Sequence, residues 1–181
     1  MSLLNFQKPD KILLQKADDF EGLFEFKPLE SGFGQTIGNS LRRILLSSLE
    51  GYAISAVRIK GADHEFSTVE GIVEDVVDII LNLKQVRLKY LLDDDETVSE
   101  KIYITLNGKT VMTAGDINDH TNVFKVTNPD LVICNMDNSV SFEMELTVTK
   151  GRGYVPAEDS LPKDAPIGYI PVDAIYTPIK N

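Results

Sequence analysis

Apolar residues recur at helical spacing within SGFGQTIGNSLRRILLSSLEG, residues 31–51. At 3.6 residues per turn, Ile37, Leu41, Ile44, Leu45, Ser48 and Leu49 share one arc of about 140°. A face that wide has to be laid against something, so it constrains the fold more than any other stretch. Asn39, Arg43 and Leu46 occupy a separate arc of about 60° on the far side. Gly38, Ser40, Ser47 and Ser48 are small enough to let another element approach closely. Two readings stand. The helix docks on its own sheet with a Leu and an Arg exposed, single exposed leucines being common. Alternatively it packs on one side and holds a partner on the other, an Arg beside an exposed Leu suiting an interface hot spot. Gly32-Phe33-Gly34 lacks the spacing and the Lys-Ser/Thr end of a phosphate-binding loop, and reads as glycines ending a turn.

Ahead of this helix, KILLQ (11–15) and GLFEFKPL (22–29) read as two strands around the polar turn KADDFEG. Behind it, AISAVRIK (53–60) reads as a strand. STVEGIVEDVVDIILNLKQ (67–85) reads as a second helix. Ser67 and Glu70 have capping-box spacing. Ile72, Val76, Ile79, Ile80 and Leu83 form its apolar side, and Glu74, Asp75, Asp78 and Asn82 its polar side. Beyond residue 85 strands dominate: VRLKYLL, then KIYITLNGKTVMTA with a hairpin turn at Asn107-Gly108, then NVFKV and LVICN. In SVSFEMELTVT (139–149), Val140, Phe142, Met144, Leu146 and Val148 alternate with Ser141, Glu143, Glu145 and Thr147. Residues 151–168 read as a Gly/Pro-rich loop, and YIPVDAIYTPI (169–179) as an interrupted extended segment.

Charge and rare residues narrow the function. The 181 residues carry a formal net charge of -10, which is repelled by phosphate backbones, so nucleic acid is not expected as a direct partner. One cysteine, Cys134, permits no internal disulfide and fits a reducing, cytoplasmic setting. MSLLNFQKPDK has no signal-peptide pattern, and no apolar run reaches the roughly 18 residues of a membrane span. His64 and His120 stand apart from each other and from Cys134, without the spacing of a zinc site or a nucleophilic triad. No metal or cofactor is expected, and a stand-alone enzyme or ligand-binding module would lack a catalytic constellation. DDDE at 93–96 lacks the spacing of a calcium loop and reads as a solvated turn. Cys134 is expected to face a core. Arg152, between two glycines, suits either an anion hook or a loop brace. Glu158 and Asp159 form a small acidic patch.

Four motifs in order, LESGFGQTIGNSLRRILLSSLEG (29–51), HEFSTVEGIVEDVVDIILNLK (64–84), GRGYVPAED (151–159) and PIGYIPVDAIYTP (166–178), resemble the N-terminal domain of the bacterial RNA polymerase alpha subunit. The resemblance covers nearly the whole chain. It implies an α+β fold: a split α/β dimerisation and assembly subdomain with an inserted, mostly β subdomain. Residues 1–50 would begin the assembly subdomain, 51–176 would form the insert, and 177–181 would return to the assembly subdomain.

The resemblance implies a non-catalytic scaffold. Two alpha subunits pair, one holding the beta subunit and the other beta-prime, while the nucleotidyltransferase site and its magnesium lie in those large subunits. Ile37, Leu41, Ile44, Leu45 and Leu49 would serve the core and the alpha pair. Arg43, Leu46 and Asp78 would contact beta, and Lys84, Val172 and Ile179 beta-prime. In some relatives the loop equivalent to 156–165 receives a transcription activator. The family's assembly subdomain continues past a YTPI-like stretch with further strands and a second dimer helix, followed by a linker and a DNA-binding domain. The sequence stops at Asn181, so it reads as a fragment whose pairing is expected to be weakened.

Overall fold

The computed structural model describes residues 8–18, 21–92, 99–162 and 164–180. The chain divides into two compact units, Met1–Ile44 and Leu45–Asn181.

In the first unit, β1 (Lys11–Ala17) pairs antiparallel with β2 (Gly22–Lys27), with an irregularity between Leu14 and Lys16. Helix α1 (Phe33–Ser47) follows, and its last three residues belong to the second unit. It is shorter than the expected 31–51. Gly32 holds φ +89, a turn conformation that suits a residue without Cβ. Among the described residues up to Ile44 none is buried, and Ile12, Leu14, Leu23, Phe24, Leu41 and Ile44 are exposed.

The second unit is built on one antiparallel sheet. Strand β3 (Glu50–Ile59) starts three residues before the expected strand. The chain then forms α2 (Val76–Leu83), β4 (Leu88–Tyr90), β5 (Ser99–Asn107) and β6 (Val111–Thr113). A 3-10 helix, Ala114–His120, leads to β7 (Phe124–Val126), β8 (Val132–Asn135) and β9 (Ser141–Arg152). After β10 (Tyr154–Val155) come α3 (Ala157–Ser160), β11 (Ile170–Pro171) and β12 (Ala174–Ile175). The four-stranded sheet has the order β11-β3-β9-β5, and the ribbons β4-β7, β6-β8 and β10-β12 complete the pairing.

The alternation in β9 has its expected effect. Phe142, Met144, Leu146 and Val148 are buried, while the interleaved Glu143, Glu145 and Thr147 are half-exposed. Val57 and Ile59 of β3 and Ile102, Ile104 and Leu106 of β5 join them in one core with Val76, Ile79 and Leu83 of α2. Tyr52 stacks on Tyr90 and both tilt against Phe124 of this core, with ring centroids 5.0 to 5.6 Å apart.

Five further expectations need correction. The second helix begins at Val76 and not at Ser67. Asp75 is its N-cap, its Oδ1 accepting from the Asp78 N–H at 2.8 Å. Upstream, Gly71 takes φ +77, Ile72 bridges to Met136, and the Val73 N–H donates to the Asn135 carbonyl at 2.9 Å. The Glu74 carboxylate accepts from the Asn135 backbone N–H at 2.7 Å and from its side chain at 2.6 Å. These bonds to the end of β8 hold 71–74 in a non-helical turn, so the Ser67/Glu70 pair caps no helix. Asn82, placed on the polar side, instead donates to the Ile133 carbonyl at 2.9 Å. Asn107-Gly108 does turn the chain, with Gly108 at φ +68, but the arms part: β5 pairs with β9 and β6 with β8. Finally, the 151–168 loop is interrupted by the end of β9, by β10 and by the one-turn helix α3, and the 3-10 helix stands where no element was expected.

Candidate functional site

The end of α1 is tied into the second unit by backbone groups. The Thr177 hydroxyl donates to the Leu45 carbonyl at 2.9 Å, and the Ile179 N–H donates to the Thr177 Oγ1 at 3.2 Å. Gly153, at φ +60, passes so close that a Cβ there would stand 3.0 Å from the Ser47 carbonyl. On the helix, Leu41, Ile44 and Leu45 are exposed, with Ile44 at 54 %, while Ile37 and Leu49 are half-buried. Arg43 is exposed as expected. Leu46, placed on the outward side by the helical wheel, is half-buried.

The residues that the resemblance assigns to two large partners fall in both units. Arg43 lies in the first unit, and Leu46 and Asp78 in the second. Asp78 is exposed on the first turn of α2. Lys84, the C-cap of α2, places its Nζ 2.7 Å from the Asp173 Oδ2, which brings it beside the segment between β11 and β12. The other Asp173 oxygen accepts from the Ala157 N–H at 2.9 Å. The Lys84 ammonium first, then that N–H, hold the Asp173 carboxyl below its ordinary range. Val172 is 1 % exposed, so its side chain belongs to the core. Ile179 is half-buried near the end of the chain.

Asp173 and Tyr176 carry no pattern in the sequence that sets them apart. Gly51 and Gly151 stand directly opposite each other on β3 and β9. A Cβ at Gly51 would collide with the Tyr176 carbonyl, and one at Gly151 with its ring. The paired glycines therefore form a slot for Tyr176, whose hydroxyl lies 2.8 Å from the Thr149 Oγ1. Periodicity cannot reveal such a slot, because its two walls lie about a hundred residues apart; the signal available was Gly in two strands.

The remaining candidates resolve into structural roles. Cys134 is fully buried, and burial, with Glu74 nearby, pushes its thiol up to about 12, leaving it unreactive. His64 Nδ1 lies 3.2 Å from the Ser67 hydroxyl, and His120 Nε2 accepts from the Thr105 N–H at 3.4 Å. Among the described residues no three metal-ligating side chains come together, and no helix is long and apolar enough to cross a membrane. Arg152 braces the strand ends, its Nε 3.1 Å from the Glu50 Oε1 directly across from it. Glu158 and Asp159 are exposed on α3. The 93–96 stretch lies outside the described residues.

These features can be set against known proteins. Residues 57–177 match the model of the RNA polymerase Rpb3/RpoA insert domain. The chain is 56 % identical over all 181 residues to the DNA-directed RNA polymerase subunit alpha of Flavobacterium psychrophilum and to that of Cytophaga hutchinsonii. It is 53 % identical to the subunit of that name from Bacteroides fragilis. In each case it spans 54 % of the relative's length. With the insert-domain match falling on the sheet, α2 and the Asp173–Tyr176 segment, and with all 181 residues aligned to subunits of one name, the chain belongs to the family of bacterial RNA polymerase alpha subunits.

Proposed function

We infer that the chain acts in DNA-directed transcription as a non-catalytic scaffold, pairing with a second alpha subunit and nucleating assembly of beta and beta-prime in the cytoplasm. The observation that carries this reading is the first unit: no described residue of it is buried, yet Ile12, Leu14, Phe24, Leu41 and Ile44 stand in water. Apolar surface of this kind marks a protein interaction site. In this reading residues 1–50 with 177–181 form the assembly subdomain and 51–176 the insert. Ile37, Leu41, Ile44, Leu45 and Leu49 serve the alpha pair. Arg43, Leu46 and Asp78 face beta, with Arg43 as an exposed anchor. Lys84 and Ile179 offer side chains to beta-prime, and the buried Val172 acts by fixing the segment that carries Asp173. The nucleotidyltransferase chemistry belongs to the large subunits.

Arg43→Ala tests the reading. Its side chain is exposed, so its loss opens no core cavity. Truncating a hot-spot arginine costs about 2 kcal/mol or more of binding. Co-purification with the matching beta subunit should fall while the thermal melt of the isolated chain stays put. A large drop in melting temperature with beta binding unchanged would make Arg43 a structural residue and remove the anchor.

A further inference from the structure

The Lys84 side chain is fixed at both ends. Its backbone closes α2: its N–H donates to the Ile80 carbonyl at 3.0 Å, and its own carbonyl accepts from the Arg87 Nη1 at 2.9 Å. Its Nζ lies 2.7 Å from the Asp173 Oδ2. Asp173 is held in turn. Val172 and Ala174 on either side of it are buried, and the Val172 N–H donates to the Ser55 carbonyl at 2.8 Å. The second carboxylate oxygen accepts from the Ala157 N–H at 2.9 Å, and the Tyr154 hydroxyl bonds to the same carboxylate. A lysine stem is flexible and would otherwise carry its charge through many positions; here the ammonium has one. The pair is not sealed, because the side chains of Lys84 and Asp173 are 23 % and 30 % exposed.

An ammonium carries three donors, and the Asp173 Oδ2 takes one of them. Donors therefore remain for a partner, but net charge does not, since the carboxylate beside them cancels it. A partner carboxylate that reached this ammonium would stand a few ångströms from Asp173 and be repelled by it. A carbonyl, amide or hydroxyl oxygen would meet no such repulsion. Resting on the reading that Lys84 meets beta-prime, we propose that Asp173 is the positioning residue of that contact, and that beta-prime meets the Lys84 ammonium with a neutral oxygen and not with a carboxylate. Asp173 converts a mobile charge into a fixed hydrogen-bond donor. A free lysine selects its partner by charge; this one selects by where the acceptor stands.

The test is the affinity of the matching beta-prime subunit for the full chain assembled with beta, measured over a series of salt concentrations. Lys84→Gln, which removes the donor, should weaken binding by roughly ten-fold. Asp173→Asn should also weaken it, although the lysine and its charge are still present. The double variant Lys84→Gln/Asp173→Asn should lose no more than Lys84→Gln alone, because Asp173 acts through the lysine; a merely structural loss would add to the first. The double variant has the same net charge as the parent pair, so its affinity should fall with salt at the parent's slope. The proposal is overturned if Asp173→Asn binds as tightly as the parent or more tightly, the latter being what a partner carboxylate relieved of its competitor would do. Additive losses overturn it too, as does a shallower salt slope in the double variant. Lys84→Gln binding like the parent is a different failure: it removes the assignment of Lys84 to beta-prime, and the inference with it.

Discussion

The two units use their apolar residues in opposite ways. In the second, aliphatic and aromatic side chains from β3, β5, β9, α2, β7 and β8 meet in one core, and Val76, Ile79, Ile117, Ile133 and Leu146 have no exposure at all. In the first, the described residues carry comparable side chains on β1, β2 and α1, and none is buried. Composition does not account for the difference, since Leu, Ile and Phe make up a larger share of the first unit than of the second. The difference is closure. Three long strands side by side with a helix across them bury one another's inner faces. A two-stranded hairpin and a helix offer only one-sided surfaces, and an isolated hairpin is marginal in water.

The strongest way to break this comparison is to place the same charge in each unit. Val76→Asp buries an unpaired carboxylate and should unfold the second unit, a penalty of several kcal/mol. Ile44→Asp puts a carboxylate at an already exposed site and, at a concentration low enough to keep the chain unpaired, should shift the melt by no more than about 0.5 kcal/mol. Circular-dichroism melts of the two variants decide; equal melting temperatures would mean that the two units are not differently closed. The next effect is read without mutation. Amides of Leu146 and Val148 in the centre of the sheet should exchange with deuterium only on global opening, and those of β1 and β2 orders of magnitude faster. Uniform protection along the chain would contradict the exposure described for the hairpin.

The smallest effect concerns acid. Asp173 is held below its ordinary range by Lys84 and the Ala157 N–H. A depressed folded-state value gives stability that is present above the unfolded value near 3.8 and is lost as pH falls through the folded one. Asp173→Asn should therefore lower the melting temperature at pH 6, by about 1 kcal/mol for the lost charge-assisted bond, and make little difference near pH 2. A gap between variant and parent that persists at pH 2 would assign the effect to packing. Asp78→Ala, on the exposed side of the same helix, should change the melt less than this at pH 6.

How much of this was legible depends on how far apart the deciding residues lie. Strand β9 could be read from its own letters, because one face is buried along its length and alternation follows. The start of α2 could not. Gly71, Ile72, Val73 and Glu74 are held by Asp137, Met136 and Asn135, some sixty residues later, and those bonds outweigh a local capping pattern. The parted arms around Gly108 have the same cause: β9 and β8 are better partners for β5 and β6 than the two arms are for each other. At the candidate site, the helical wheel placed Arg43 outward and missed the half-burial of Leu46, because the last turn of α1 is met by Gly153 and Thr177. Lys84 came from motif position alone, and nothing local announced Asp173 as its counterion.

The slot formed by Gly51 and Gly151 has a consequence for which changes can suppress one another. The wall at residue 151 faces a ring, so a methyl group added there conflicts with a side chain. Shortening residue 176 to alanine would make room and act as a compensating second change. The wall at residue 51 faces the main-chain carbonyl of residue 176, which every amino acid carries. No replacement at 176 can remove that obstacle. Two glycines that look alike in the sequence, and sit opposite each other in the sheet, therefore differ in kind: one is negotiable with its neighbour's identity, and the other is fixed by the path of the backbone.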